Sequence, residues 1–235
     1  MNILAIDTAA NILSVALSVS RADSNPEQRW YFEADAGLRH SEILMDMADI
    51  LMKQGGLQPA DLDLVACMKG PGSFTGLRIG FSVAKALALA LGIPFIPIPT
   101  LDCMAASYST WPGIVVPVIN AKKQRFFTAL YRGDTKIADD RDADAAAIAA
   151  LLSKALASSV DGEKSILITG PDAPLLKDEL VKLIPVGIHI DPACRKGRAM
   201  ELLELAKKDI GMDTGENNFF TGPEYLRKSD AELNI

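Results

Sequence analysis

A glycine-rich segment is the part of the chain whose residue types most clearly suit chemistry. Residues 69–80 read KGPGSFTGLRIG and lie between a strand-like apolar run and a long helix-like run. Exposed N–H groups at such a helix start, together with the helix dipole, favour an anion. The segment is not a Walker loop, because no Gly-Lys-Ser/Thr follows at the required spacing. It is not a dinucleotide fingerprint, because Thr75 stands where a third glycine is needed. Two interpretations stay open: Gly70 and Gly72 cradle a phosphate, or they only make a tight turn.

Asp7 is the one acid in a suggestive place, because it ends the first apolar run of the chain. A carboxylate at the end of a strand can hold a metal-bound water or act beside a phosphate, which makes Asp7 a weak candidate cofactor-binding residue. The same residue type forms Asx turns, in which its side chain bonds the backbone two residues further on. The sequence favours such a turn with Thr8 over the catalytic interpretation.

Imidazoles and thiols are too few for most metal or nucleophilic mechanisms. The chain has two histidines, His40 and His189, and three cysteines without a CxxC spacing. Neither a structural zinc site nor a disulfide framework is encoded, and no Ser or Cys has an identifiable His–Asp pair. We therefore predict no catalytic residue, no metal ligand and no cofactor. We expect His40 to be a solvated or capping residue at a helix start, and His189 to lie at the surface.

Composition and charge restrict the class of protein. The 235 residues are 49% hydrophobic and 23% charged, which is typical of a globular chain with a sizeable core. The net charge of −6 argues against a protein that grips a nucleic acid unaided. Basic clusters at 122–125 and 195–198 are interpreted as solvated turns that could supply a few phosphate contacts inside a complex. Because no segment has the pattern of a signal peptide or a membrane span, we expect a cytoplasmic protein that contacts no membrane.

Hydrophobic patterns divide the chain into alternating strands and helices. Three consecutive strands open it, and a helix, a strand, a helix and a further strand follow. Predicted strands cover 2–6, 12–20, a stretch beginning at Trp30, 63–68, 93–98, 114–119, 126–132, 165–169 and 188–190. Predicted helices cover 38–53, 75–91, 144–158, 175–183 and 197–208, and a polar loop is expected at 21–28.

The second half of the chain repeats the opening of the first. Aligning the two openings pairs Ile6 with Ile119 and Asp7 with Asn120. Such a repeat indicates a duplicated domain. Two β-meander-plus-helix halves, joined at a proline-rich junction, predict an α/β fold of the actin-like, sugar-kinase-like (ASKHA) class. We expect an N-terminal lobe at 1–100, completed by the helix near 197–208, a C-terminal lobe at 101–220 and a tail at 221–235.

Two helices of the first half carry more apolar surface than one sheet can cover. Small residues recur every four positions along 75–91, and the helix at 38–53 is apolar over most of its circumference. A surface helix needs an apolar stripe about 100° wide, and a ridge of small residues lets a second helix approach closely. We predict an interface with a partner, made by Ile43, Met47, Ile50, Leu51, Gly76, Gly80, Ala84 and Leu87. The alternative is a helix pair that its own domain covers deeply.

Four segments together resemble the TsaB (YeaZ) family over essentially the whole chain. They are Ile6-Asp7-Thr8, Arg39-His40-Ser41-Glu42, the 69–80 loop and Pro223-Glu224-Tyr225-Leu226-Arg227. Members of that family are non-catalytic subunits of the bacterial machinery that makes threonylcarbamoyladenosine beside the tRNA anticodon. The resemblance implies a two-lobed ASKHA fold and a partnership with the catalytic paralogue TsaD and the ATPase TsaE. It also implies tRNA contact only within that complex, and helix contact with TsaD or with a second copy in a homodimer.

Departures from the catalytic paralogue support a non-catalytic role. That paralogue holds a metal with two histidines four residues apart, whereas here Leu44 follows His40 at that spacing. The second hairpin turn, 120–124, lacks the glycine and the acid that nucleotide chemistry needs in this fold, and the family more often has an acid at Asn120. The expected function is a scaffold that supports TsaD in threonylcarbamoyl transfer to tRNA. The alternative is a stand-alone actin-like ATP-dependent phosphotransferase or hydrolase that uses Asp7 and the Gly70–Gly72 loop.

Overall fold

The structure, a computed structural model, describes residues 1–20, 26–157, 164–210 and 221–227. Its strands are β1 (Ile3–Asp7), β2 (Ile12–Val19), β3 (Gln28–Asp35), β4 (Leu64–Gly70), β5 (Phe95–Pro99), β6 (Ile114–Lys122), β7 (Arg125–Arg132), β8 (Thr135–Asp144), β9 (Ser165–Thr169) and β10 (Gly187–Ile190). Its helices are α1 (His40–Gln54), α2 (Phe74–Leu91), α3 (Thr100–Ala106), α4 (Ala145–Ala157), α5 (Ala173–Leu180) and α6 (Ala199–Asp209). Residues 21–25 of the loop predicted at 21–28, the end of the helix at 144–158, residues 211–220 of the predicted second lobe and most of the predicted tail lie outside the described residues. The last residue of that loop, Gln28, is the first of β3.

The chain forms two compact units that share one topology. The first comprises Met1–Cys103 and Gly197–Glu224, and the second comprises Met104–Lys196 and the chain from Tyr225 onward. The first sheet has the order β3-β2-β1-β4-β5 and the second the order β10-β9-β6-β7-β8. In each sheet the first three strands along the chain are antiparallel neighbours, and the last two continue parallel to the first. The predicted duplication is therefore confirmed.

The first unit has helices on both faces of its sheet. Strand β1 is buried throughout, as expected for a central strand. Leu4 and Ile6 join the core cluster that contains residues of α1 and α2. Ile3 and Ala5 face the opposite side, where they join the cluster containing the buried residues of α6. Helix α6, from the far end of the chain, thus completes the first unit.

Helix α2 is the one helix within the described ranges that is long and apolar enough to cross a membrane by length and composition. The core helix of a globular domain meets the same criterion, so the finding is weak evidence for a membrane span. Leu77, Phe81 and Ala84 of this helix are buried in the first unit.

Candidate functional site

The two candidate glycines of the loop between β4 and α2 lie against other backbone segments of the first unit. A Cβ on Gly72 would stand 2.6 Å from the carbonyl oxygen of Ala9, and one on Gly70 would stand 2.4 Å from that of Glu224. Gly70 also has a φ of +119°, which L side chains rarely adopt. Both positions therefore require glycine for close approach between backbones of the same chain.

Backbone donors at the start of α2 have partners within the chain. The N–H of Ser73 donates to the carbonyl oxygen of Ala9 at 2.8 Å. The side chain of Ser73, the N-cap residue, accepts from the N–H of Gly76 at 3.2 Å. Two N–H groups at this helix start, those of Ser73 and Gly76, are thus engaged in holding the turn, which favours the tight-turn interpretation of Gly70 and Gly72.

A short C-terminal segment lies across the loop. We call residues 221–224 the C-terminal strap. The N–H of Glu224 donates to the carbonyl oxygen of Lys69 at 2.7 Å, and the two side chains form an ion pair at 3.0 Å. Lys85 of α2 donates to the carbonyl oxygen of Thr221 at 3.1 Å. The loop motif and the beginning of the Pro223–Arg227 motif, far apart in sequence, are therefore parts of one structural element.

Asp7 uses both carboxylate oxygens to accept hydrogen bonds from the chain itself. Oδ1 accepts from the N–H of Ala9 at 3.0 Å, which is the Asx turn that the sequence favours. Oδ2 accepts from the N–H of Arg198 at 2.9 Å, at the start of α6. Burial raises the pKa of the Asp7 carboxyl, and the two backbone hydrogen bonds and the charge of Arg198 offset that rise only in part.

Further polar contacts surround this anchor of α6. Ser14 accepts from the N–H of Ala199 at 3.1 Å, and Glu33 accepts from the N–H of Gly197 at 2.9 Å. Arg198, which is 1% exposed, pairs with Glu201 at 3.4 Å. The sequence could not reveal this network, because its members come from β1, β2, β3 and α6. Together they indicate that Asp7 positions a helix.

The histidines and thiols are not arranged for metal chemistry. His40 is 5% exposed, and its Nε2 lies 2.9 Å from the carbonyl oxygen of Ala10, to which it must donate. The prediction of a solvated or capping His40 is therefore wrong, because the ring is held against the β1–β2 turn. His189 is exposed on β10, as predicted. Burial raises the pKa of the Cys67 and Cys103 thiols, which keeps both protonated at neutral pH.

No group of three or more His, Cys, Asp or Glu side chains within the described ranges is placed to hold a metal ion.

The hairpin turn of the second half, at 120–124, is held by an acid from elsewhere in that unit. The N–H of Asn120 donates to Asp172 Oδ2 at 2.7 Å, and Asn120 Oδ1 accepts from the N–H of Lys122 at 2.7 Å. Asp172 directly precedes α5, and nothing in its sequence spacing pointed to this contact.

The ridge of small residues on α2 packs inward. A Cβ on Gly76 would stand 2.1 Å from the carbonyl oxygen of Thr8, and one on Gly80 would stand 2.2 Å from Thr8 Oγ1. Ala84 is fully buried. The small residues of the ridge allow close approach to the turn after β1 of the same unit. The prediction that Gly76, Gly80 and Ala84 belong to an outer interface is therefore wrong. The four-residue spacing of these small residues did not indicate that they face the interior of the first unit.

Met47 and Leu51 of α1 need the same correction, since each is 3% exposed within the core of the first unit. The remaining predicted interface residues point outward at least in part: Ile50 is 44% exposed, and Ile43 and Leu87 are half-buried. Helix α2 carries further half-buried or exposed apolar residues that the sequence-based prediction did not include. We define the α1–α2 outer face by its half-buried or exposed apolar residues, which are Ile43, Ile50, Phe74, Ile79, Val83, Leu87 and Leu89.

A shallow groove of about 510 Å³ crosses part of this face. Ser41 lines it from α1, and Phe74, Arg78, Ile79 and Val83 are among its lining residues on α2. The guanidinium of Arg78 lies 3.9 Å from the centre of the Phe74 ring. The face combines apolar side chains with a cation, as interfaces commonly do.

The duplicated halves and their sheet order define an ASKHA protein. A family model described as TsaD, tRNA N6-adenosine threonylcarbamoyltransferase, matches residues 34–235. Over 234 residues the chain is 30% identical to the tRNA threonylcarbamoyladenosine biosynthesis protein TsaB of Bacillus subtilis, covering 99% of this chain and 96% of that protein. The Escherichia coli protein of the same name is 34% identical over 136 residues, covering 57% and 56%. The solved structure of YeaZ from Pseudomonas aeruginosa has a TM-score of 0.75 at 21% identity, covering 96% of this chain and 99% of that one. The chain belongs to the TsaB (YeaZ) family.

Proposed function

We propose that the chain is a non-catalytic subunit in tRNA threonylcarbamoyladenosine biosynthesis. In this proposal it binds a TsaD-type catalytic paralogue, with TsaE as a further partner, and supports threonylcarbamoyl transfer to the adenosine beside the tRNA anticodon. The names of the relatives support a role in this pathway. The family model, whose description is that of the transferase itself, supports descent of the chain and its partner from one fold.

The arrangement of Asp7 carries the non-catalytic part of the proposal. A phosphotransferase acid must present an oxygen to a metal, a water or a phosphate. Both oxygens of Asp7 instead accept from backbone N–H groups of Ala9 and Arg198. The loop that would hold phosphates is likewise packed on Ala9 and on the C-terminal strap. The stand-alone phosphotransferase or hydrolase would have to break these contacts before it could bind a ligand.

The α1–α2 outer face is the surface that we assign to the partner. Its apolar side chains are only partly covered by the unit that bears them, as the exposure of Ile50, Phe74 and Leu89 illustrates. Phe74, Ile79 and Val83 line one groove, and contiguous apolar side chains of this kind mark protein interfaces. The same face serves a homodimer when the partner is absent, so the two assemblies compete. A cytoplasmic location without membrane contact belongs to the proposal, since the tRNA substrate is there.

Reconstitution tests the proposal directly. The purified chain, a TsaD-type protein and TsaE are mixed with tRNA, a threonylcarbamoyl donor and ATP. Modified tRNA is measured with each protein left out in turn. Transfer is expected only when the chain and the TsaD-type protein are both present. ATP turnover by the chain alone, abolished by Asp7→Ala in a folded variant, would contradict the non-catalytic assignment.

A matched pair of variants tests the surface. Ile50→Asp places a charge on the α1–α2 outer face, and Leu175→Asp places one on α5, where Leu175 is exposed to a similar degree, 46% against 44%. We expect Ile50→Asp to weaken binding of the TsaD-type protein by about tenfold or more, and Leu175→Asp to leave it unchanged. Equal binding by both folded variants would show that the contact lies elsewhere.

A further inference from the structure

A groove on the second unit is lined by several cations. It occupies about 550 Å³ beside β8 and α4, and Arg125, Arg141 and Lys154 contribute to its lining. Alanines and a leucine of α4 form an apolar part of the wall, namely Ala147, Ala150 and Leu151. Arg125 also follows the β6–β7 turn, which carries the exposed Lys122 and Lys123. Turn and groove therefore share one residue, and we call them together the basic surface.

The two acids in the groove already have partners. Asp142 accepts from Nε of Arg125 at 2.7 Å and from Nε of Arg227 at 2.6 Å, so two cations share one carboxylate. Asp144 accepts from the N–H of Ala147 at 2.8 Å and caps the start of α4. The basic surface has five cations, Lys122, Lys123, Arg125, Arg141 and Lys154, against these two acids. Its net charge is therefore positive, although the whole chain carries −6.

Charge is also distributed unevenly between the two units. The second unit holds more than half of the 24 Lys and Arg residues but fewer than half of the 30 Asp and Glu residues. The negative charge of the chain thus comes from the first unit. A polyanion would meet less repulsion at the second unit than the overall charge implies.

The β6–β7 turn holds its lysines in an unfavourable backbone conformation. Lys122 pairs with Arg125, which leaves Lys123 and Gln124 as a two-residue hairpin loop. All three residues of 122–124 have positive φ, at 63°, 54° and 59°. Hairpin loops with positive φ at both central positions strongly favour Asn-Gly. Such conformations at residues other than glycine concentrate at ligand-binding sites, so lysine at this position points to a role beyond the turn.

We infer that the basic surface binds the phosphodiester backbone of tRNA. The inference rests on the proposed function, which brings tRNA to the complex, and it assigns a surface of this subunit to that substrate. Exposed lysines on the turn and further cations along the groove are spread over the surface and do not converge on one point. That distribution suits a chain of phosphates rather than a single small anion.

The test uses the chain assembled with its TsaD-type partner. A turn variant carries Lys122→Gln and Lys123→Asn, and a groove variant carries Arg141→Gln and Lys154→Gln. The control carries Lys177→Gln and Lys182→Gln, which remove two charges from the region of α5 in the same unit. Binding of fluorescent tRNA is measured by anisotropy between 50 and 300 mM NaCl, together with partner binding and thermal melts.

Turn and groove variants are expected to bind the partner normally but to bind tRNA roughly tenfold more weakly. Their salt slopes should be smaller by about one for each phosphate that the variant no longer neutralises. The control should match the parent. Unchanged tRNA affinity and slope in both variants would overturn the inference while the proposed function stood. Displacement of tRNA from the parent by equimolar ATP or inorganic phosphate would also overturn it, because the surface would then be a small-anion site.

If the parent forms no complex with the TsaD-type protein, the proposed function fails, and the inference is then tested on the chain alone. The same variants are titrated with tRNA at 50 mM NaCl. Weaker binding by the turn and groove variants than by the control would support the basic surface. Equal or absent binding by all of them would overturn it.

Discussion

The carboxylate of Asp7 accepts a hydrogen bond at 2.9 Å from the backbone N–H of Arg198, which lies 191 residues further along the chain. An acid in the position expected of a catalytic group thereby holds the start of α6 against β1. The buried pair Arg198 and Glu201 lies beside it. This relationship makes Asp7 a determinant of stability, which mutagenesis can measure.

Asp7→Ala should destabilise the first unit strongly. The substitution removes the acceptor for two buried N–H groups, and each unsatisfied group costs about 1–3 kcal/mol. We expect the free energy of unfolding in urea to fall by roughly 2–5 kcal/mol. Ser14→Ala leaves one buried backbone N–H, that of Ala199, without its acceptor, and should cost about half as much. Parent-like stability of Asp7→Ala would mean that the anchor is unimportant.

Glu27 should give the chain an acid-sensitive contribution to stability. Partial burial disfavours its charge, but hydrogen bonds from Lys207, Ser18 and Arg29 outweigh that effect and lower the pKa of Glu27 from 4.5 to about 2. A lowered folded-state pKa stabilises the protein above the unfolded value, and the benefit disappears as pH falls from about 4.5 to about 2.

Glu27→Gln should therefore lower stability at pH 7 by about 1–3 kcal/mol and flatten the pH dependence of stability below pH 4.5. Urea unfolding at several pH values between 2 and 7 measures both effects. Glu42→Gln, at an exposed position in the first turn of α1, is the control and should leave the pH profile as in the parent. If the free energy of unfolding fell equally steeply below pH 4.5 in both variants, the pH dependence would come from other groups.

Bulky substitutions on the α2 ridge should affect folding rather than association. A Cβ at Gly80 would stand 2.2 Å from Thr8 Oγ1, which itself donates to the carbonyl oxygen of Gly76 at 2.7 Å. We expect Gly80→Ala to lower the free energy of unfolding by about 1–3 kcal/mol through overpacking. Adding Thr8→Ala to Gly80→Ala should recover part of that loss, because the clashing hydroxyl is removed. Additive destabilisation in this double-mutant cycle would place the strain elsewhere.

Gln124→Gly should stabilise the second unit. Gln124 has a φ of 59° in a two-residue hairpin loop, and a left-handed conformation costs an L-residue about 1–2 kcal/mol. The greater freedom of glycine in the unfolded chain offsets part of this, which leaves an expected gain of about 0.5–1 kcal/mol. Ala86→Gly, at an exposed position inside α2, is the opposite case. It should lower the free energy of unfolding by about 1 kcal/mol. Thermal melts that move both variants in the same direction would contradict the assigned turn geometry.

Most strands and helices were predictable because their hydrophobic patterns are strong and local. Two elements were not. The chain of β8 reads as a charged loop, with four aspartates between Thr135 and Asp144, and its strand conformation depends on pairing with β7. Helix α3 begins directly after Pro99 in a stretch whose prolines resemble a linker. Pro97 and Pro99 in fact lie in β5, an edge strand, where proline is tolerated.

The sites were less predictable because their partners come from distant parts of the chain. The four-residue spacing of Gly76, Gly80 and Ala84 indicates that something approaches closely, but it does not say whether that is a partner helix or the turn at Thr8. The apolar breadth of α1 included Ile50, which is exposed, but it did not distinguish such outward residues from the buried Met47 and Leu51. Nothing in the sequence placed Ala10 against His40.

The first unit is completed by helix α6 and by the C-terminal strap, both of which leave the ribosome after Met104–Lys196 of the second unit. Until then β1 lacks the helix that covers one of its faces, and Gly70 lacks the backbone that packs on it. Met104–Lys196, the main part of the second unit, is made during that interval. The amino-terminal unit therefore cannot be completed before the chain that follows it is made, unlike the usual order for amino-terminal domains, and one apolar face of its sheet is uncovered during that interval. A premature stop before α6 would leave one face of the first sheet uncovered. A stop before β5 would leave that sheet incomplete as well.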